Sequence, residues 1–242
     1  DEAISRALQG PAAARRPRGA PCCRGAEFLS SAPPGRDDVS GTTHLHPHEG
    51  TVTAADRERV LGQKGCVVWL TGLSGAGKST VARGLESRLA ALRVACYVLD
   101  GDGLRTGLNA DLGFSEADRR ENVRRAAEVA SILRDVGLVA IVALMSPHAD
   151  ERARARDRAG AERFVEVFLD APLEACERRD PKGLYRKARA GEIPSFTGVS
   201  APYERPSRPD LVLRTHEEDA PSSVSRVLGL LRARGLAPAE PA

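Results

Sequence analysis

From Cys66 onward, short apolar runs alternate with stretches in which apolar residues recur at helical spacing. Cys66–Leu70, Val94–Leu99, Leu138–Leu144, Phe164–Leu169 and Leu211–Leu213 are brief and largely apolar throughout. That is the pattern of strands buried on both faces of a parallel sheet. Between them, Val81, Ala82, Leu85, Leu89 and Leu92 mark one helix. A second is predicted from Ser115 to about Val136, opened by a capping-box arrangement of Ser115 and Asp118. A charged helix follows Met145-Ser146-Pro147, and Pro172 opens a short one to Arg179. Val224, Val227, Leu228 and Leu231 mark a closing helix, and Ala54–Leu61 is a helical lead-in to the first strand. Alternating strand and helix predict an α/β fold, a parallel sheet with helices on both faces. Ligands of such sheets bind beyond the carboxyl ends of the strands. Those ends are Gly72 to Ser79, Asp100 to Asp102, and Ser146.

Two regions depart from this rhythm. Residues 1–50 are dominated by Pro, Ala, Gly, Ser and Arg without lasting periodicity. They bury too little apolar surface to offset ordering entropy and read as a disordered N-terminal segment. Gly10 to Arg24 carries Arg15, Arg16, Arg18 and Arg24 with no acid, somewhat like an organelle transit-peptide remnant. An ordinary variable tail fits the same residues. The second region, Asp180 to Pro206, is rich in Lys, Arg, Gly and Pro and shows little core pattern. The remainder, residues 51–242, reads as one domain, in keeping with a 242-residue chain.

Composition narrows the partners. A content of 41% hydrophobic and 29% charged residues is that of a soluble globular domain. A net charge of only +3 argues against a nucleic acid polymer as partner. No apolar run approaches the ~20 residues of a membrane span. The five cysteines form no C-x-x-C pair, which excludes an ordinary zinc framework. Cys66, Cys96 and Cys176 lie within strand or helix patterns and read as small core residues.

The chemistry enters with Gly72-Leu73-Ser74-Gly75-Ala76-Gly77-Lys78-Ser79-Thr80, which fits G-x-x-x-x-G-K-[ST]. Glycines let the backbone curl so that several N–H groups form an anion nest. Lys78 adds a point charge for the β- and γ-phosphates, and the Ser79 hydroxyl suits Mg²⁺. A strand before and a helix after supply the context that a phosphate-binding loop requires, so a nucleoside triphosphate is expected there. The guanine-reading N-K-x-D is absent; the third strand ends in Ser146-Pro147 where a GTPase would carry an Asp-x-x-Gly switch, and the acidic pair that ends a Walker B strand is missing too. A small-molecule kinase remains, needing an acceptor pocket, a base and a basic cover that excludes water. A nucleotide-binding regulatory subunit is the non-enzyme alternative.

Beyond the loop, Leu99-Asp100-Gly101-Asp102 with Arg105, Leu112-Gly113-Phe114-Ser115, and Asp118-Arg119 with Glu121-Asn122 follow in order. Ser146-Pro147, Arg179-Asp180-Pro181-Lys182-Gly183-Leu184-Tyr185, Gly191-Glu192-Ile193 and Phe196-Thr197-Gly198 continue the series. Together these blocks resemble the adenylylsulfate kinase family of P-loop kinases, over about Thr43 to the C-terminus. The resemblance implies ATP-dependent phosphorylation of the 3′-hydroxyl of adenosine 5′-phosphosulfate (APS) with Mg²⁺, giving 3′-phosphoadenylyl sulfate and ADP. It implies that Asp102 handles the hydroxyl proton, with Lys78 on the transferred phosphate. Arg105, Arg119 and Asn122 would hold phosphosulfate and ribose, and Phe114 and Phe196 would sandwich the adenine. Being in polar loop segments, these two phenylalanines are not expected in the core. Lys182 and Thr197 would join the substrate site, and Arg186, Lys187 and Arg189 a basic lid. Asp100 would support Mg²⁺ through water or cap the following turn. Ser146 matches a serine described in the family as a phosphoserine intermediate; holding the substrate is the simpler role, since direct in-line transfer needs no enzyme phosphate. The family also implies a homodimer, a plastid or cytoplasmic location, and in plants redox control, for which Cys66 with Cys22 or Cys23 is the available set. The chain departs from the family pattern at His148 and Ala149 (usually an aromatic and Arg), at Pro194 (usually Lys) and at Ser200-Ala201 (usually acidic).

Overall fold

A computed structural model describes residues 50–239. A parallel five-stranded sheet has the order β2-β3-β1-β4-β5, formed by Cys66–Thr71 (β1), Cys96–Asp100 (β2), Val139–Ala143 (β3), Phe164–Leu169 (β4) and Leu211–Leu213 (β5). The helices are Ala54–Leu61 (α1), Lys78–Ala91 (α2), Gly101–Arg105 (α3), Glu116–Val136 (α4), Ala149–Ala159 (α5), Leu173–Arg179 (α6), Leu184–Arg189 (α7) and Ala220–Ala233 (α8). None of them is long and apolar enough to cross a membrane. The expected disordered segment lies, Gly50 apart, outside the described residues.

β1 is central, and every one of its residues is buried. Because strand side chains alternate between faces, its residues divide into two cores. Cys66, Val68 and Leu70 join Val81, Leu85, Leu89, Val227 and Leu231 beneath α2 and α8. Val67 and Trp69 join Val123, Ala126, Ala130 and Ala155 beneath α4 and α5. The sheet is thereby covered on both sides, as an all-parallel sheet requires. The capping box at Ser115 forms as predicted: Asp118 N donates to Ser115 Oγ at 3.1 Å, and Ser115 N donates to Asp118 Oδ2 at 3.3 Å.

Two helices escape the hydrophobic pattern. Both α3 and α7 are too short for helical periodicity to register. The region from Asp180 onward is not devoid of core either. Tyr185 and Phe196 are buried and meet edge to face at 5.1 Å.

Candidate active site

The carboxyl ends of the strands open on one cleft of about 1200 Å³. Ser74, Gly75, Gly77, Lys78, Ser79 and Thr80 face it; Gly72, Leu73 and Ala76 are not among its walls. Fitting the loop between β4 and α6 requires glycine. A Cβ on Gly72 would stand 2.7 Å from Leu169 O, and Gly75, at φ 73°, passes within 2.9 Å of Cys176 O by the same measure. The first turn of α2 carries no acidic side chain of its own, and the helix starts at the loop with its positive pole.

Lys78 Nζ donates to the loop's own carbonyls, Gly72 O at 2.9 Å and Leu73 O at 2.7 Å. Burial pulls its pKa down to about 8. Ser79 Oγ donates to Asp100 Oδ2 at 2.7 Å, and Asp102 N donates to Asp100 Oδ1 at 3.0 Å. Asp100 therefore caps α3 and braces Ser79 with the same carboxylate. Burial pushes its pKa up, but the Ser79 hydroxyl and the Asp102 N–H outweigh it, and the carboxyl stays below its ordinary value. Asp102 projects into the cleft and is ion-paired with Lys182 of the lid.

Residues of α3, α4 and the segment between them also line the cleft. Arg105 Nη1 donates to Gly113 O at 2.7 Å and Leu112 O at 3.2 Å, and its guanidinium lies 4.5 Å from the Phe114 ring centroid. Arg119 Nε donates to Phe114 O at 2.8 Å, its Nη2 to Ser195 O at 2.6 Å and its Nη1 to Thr197 Oγ1 at 3.4 Å. Both arginines line the cleft while bracing its frame. Asn122 is buried on the same wall, its Oδ1 accepting from Asn109 Nδ2 at 2.9 Å. That bond orients the amide and leaves Asn122 Nδ2 as the donor available to the cleft.

Several expectations need correction. Phe114 is 71% exposed, as a stacking platform needs, but Phe196 is only 8% exposed and belongs to the core through Tyr185. It lines the cleft by an edge of that core. Of the proposed lid cations, Lys182 faces the cleft, whereas Arg186, Lys187 and Arg189 do not. Arg189 instead pairs with Glu177 at 2.6 Å. Ser146 lines the cleft but is buried, and its hydroxyl is engaged twice: Trp69 Nε1 donates to it at 3.0 Å, and it donates to Thr71 Oγ1 at 3.0 Å. Cys66 is fully buried with its thiol pushed up to about 12 by burial, unsuited to ready exchange; Cys22 and Cys23 lie outside the described residues. Cys96 is only half-buried.

The residues that departed from the family pattern have local roles. Ser200 Oγ accepts from Phe196 N at 2.8 Å and closes the Phe-Thr-Gly turn. Ala149 N donates to Glu204 Oε2 at 2.7 Å, so α5, which lacks its own side-chain cap, is capped from a distant segment. Pro194 is part of the cleft wall.

Sequence reasoning missed three supports of the loop. Thr215 Oγ1 donates to Ala76 O at 2.8 Å, Arg179 Nη1 to Gly75 O at 3.3 Å, and Tyr185 OH to Ser74 O at 2.9 Å. Thr215 follows β5, so the rule that ligands gather at strand ends pointed to it.

Residues 64–214 match the family model described as adenylylsulphate kinase. The chain belongs to the adenylylsulfate kinase family. It is 54% identical over 187 residues to the adenylyl-sulfate kinase of Enterobacter sp. (strain 638), covering 77% of this chain and 92% of that protein. A second relative, from Citrobacter koseri, is 53% identical over 185 residues, 76% of this chain and 92% of its own length. Among solved structures, the Mycobacterium tuberculosis APS kinase CysC in complex with AMPPNP and APS is similar at 53% identity and a TM-score of 0.67. That similarity covers 70% of this chain and 99% of that one. Membership makes the chain a P-loop kinase.

Lys78 sets a pH dependence. Phosphates favour the ammonium form, so a nucleoside triphosphate raises a pKa that starts near 8 in the free protein. Below pH 8 the charge is already present; above it, binding must take up a proton. Affinity for the triphosphate is expected to fall between pH 7 and 9.5, approaching tenfold per pH unit above 8. Calorimetric titration at several pH values checks this, and Lys78→Met is expected to remove the slope.

Proposed function

We infer that the chain transfers the γ-phosphoryl group of ATP to the 3′-hydroxyl of APS. The observation that carries this is one cleft lined by two different sets of residues. One set is the nest, Lys78 and Ser79; the other is Phe114, Arg105, Arg119 and Asn122, with Asp102 also on the wall. A cleft of about 1200 Å³ exceeds the usual ~300–1000 Å³ of a one-ligand pocket and suits two nucleotides side by side. Our reading puts ATP on the loop and APS against the exposed face of Phe114, with arginine forks for its oxyanions. The APS-bound relative supports that division.

Asp102 serves as the base: its carboxylate accepts the 3′-hydroxyl proton as that oxygen attacks the γ-phosphorus and the bond to ADP breaks. The Lys182 ammonium, which pairs with Asp102, must release it as the hydroxyl binds, leaving a lid cation beside the reacting phosphate. The commitment of the Ser146 hydroxyl to Trp69 and Thr71 supports direct transfer, with Ser146 shaping the acceptor wall. Ser79 Oγ and the Asp100 carboxylate, 2.7 Å apart beside the loop, are hard oxygen donors of the kind that hold Mg²⁺ together with substrate phosphates. When bound, the ion supplies neutralisation of phosphate charge. The same resemblance supports residues 51–242 as the kinase domain of a homodimer in plastid or cytoplasm.

The purified chain with Mg·ATP is expected to form ADP only when APS is present, with a 3′-phosphorylated product by chromatography. ATP binding without APS-dependent turnover would overturn the reading. Asp102→Asn should lower kcat about 10²- to 10⁴-fold while ATP affinity stays within about twofold; near-normal turnover would remove Asp102 as the base. Phe114→Ala should raise the KM for APS about 5- to 150-fold, the loss of roughly 1–3 kcal/mol of stacking, and leave the KM for ATP alone. A kinase for another small metabolite would show no such selective effect.

A further inference from the structure

At the end of β3, Ser146 is 2% exposed and has φ 39°, a left-handed backbone at a residue other than glycine. Such strain persists only where the surroundings over-determine it, and it clusters at functional sites. Here the surroundings converge on one side chain, Arg152 of α5, which is 3% exposed and does not line the cleft. Its Nη1 donates to Ser146 O at 2.7 Å, its Nη2 to Glu204 O at 2.7 Å and its Nε to Glu166 Oε1 of β4 at 2.9 Å.

Each partner leads somewhere. Ser146 and Pro147 are acceptor wall. Glu204 belongs to the strap that ends the lid, and that strap is riveted to the same place. Glu204 N donates to Pro147 O at 2.9 Å, Tyr203 OH and Thr71 Oγ1 are hydrogen-bonded at 2.8 Å, and the Arg152 guanidinium lies 5.9 Å from the Tyr203 ring centroid. Glu166 is the counter-charge that makes a buried guanidinium tolerable.

We propose that Arg152 is a positioning residue for the acceptor. It ties the Ser146–Pro147 wall and the C-terminal anchor of the lid to one point on β4, so that APS and the closing lid share a register. The proposal rests on the assignment of APS to this wall. A planar fork with three directed donors performs the task; a lysine, as a point charge, does not. A purely structural ion pair would stabilise the fold without distinguishing one substrate from the other.

The test is steady-state kinetics with each substrate varied, together with Tm, for wild type, Arg152→Lys and the double variant Arg152→Met/Glu166→Met. The double variant removes both buried charges, an exchange that folded proteins often accept, and it decides the matter where Arg152→Lys does not fold. The expected result in a cooperatively unfolding variant is an APS KM raised about tenfold or more, with the ATP KM within about twofold of wild type. An unchanged APS KM, or equal weakening of both substrates, would overturn the positioning role. Wild-type chain that forms no ADP with APS would overturn the acceptor assignment and this inference with it. Wild-type turnover beside an unaltered variant would overturn this inference alone.

Discussion

β1 lies between β3 and β4 with no residue exposed, and the phosphate loop leaves it directly. A parallel strand buried on both faces has no polar side of its own, so charged chemistry has to be placed where the strands stop. Burial also makes the loop's position rigid. Leu169 O stands against Gly72 and Cys176 O against Gly75, so backbone on two sides fixes the curl that gathers the N–H groups. A preorganised nest of this kind stabilises phosphate charge without reorganising as it arrives.

From that fixed edge the rest follows as a set of braces. Asp100 at the end of β2 holds Ser79 and caps α3, which carries Asp102. Thr215 beyond β5 and Arg179 at the end of α6 hold the loop from the other side. The lid is tied in as well, through Tyr185 to Ser74 and through Arg119 to Ser195 and Thr197. Most of these bonds join residues far apart in sequence, so the loop, the wall that carries Phe114 and the segment after Asp180 are braced against one another.

Buried charge is used sparingly. Arg152 and Glu166 are paired at 2.9 Å, and Glu166 also faces Arg156 at 3.5 Å. Such a pair is weak evidence for stability, since desolvation opposes the attraction. Its geometry accounts for its presence better: of the three directed bonds of Arg152, one reaches the carbonyl of Ser146, whose φ is 39°, and the other two go to Glu204 O and Glu166.

The sequence by itself determined the sheet, the phosphate loop and the chemistry expected of them. Apolar runs of this brevity between turn signals fit buried strands better than helices, and G-x-x-x-x-G-K-[ST] between strand and helix fits a phosphate-binding loop. Strand ends and ordered motif blocks singled out Asp102, Phe114, Arg105 and Arg119 in one dimension, and all four line the cleft. Tertiary structure alone decided which of two similar residues does which work. Phe114 and Phe196 look alike in polar segments, yet Phe196 meets Tyr185 and joins the core, because the contact that buries it comes from another part of the lid. Lys182 reaches Asp102 while Arg189 turns to Glu177, a choice set by how α7 sits on the loop. Arg152 reads in sequence as one arginine among several on a charged helix. Its role exists only where β3, β4 and the post-lid strap meet, and no periodicity or spacing encodes a meeting of three distant segments.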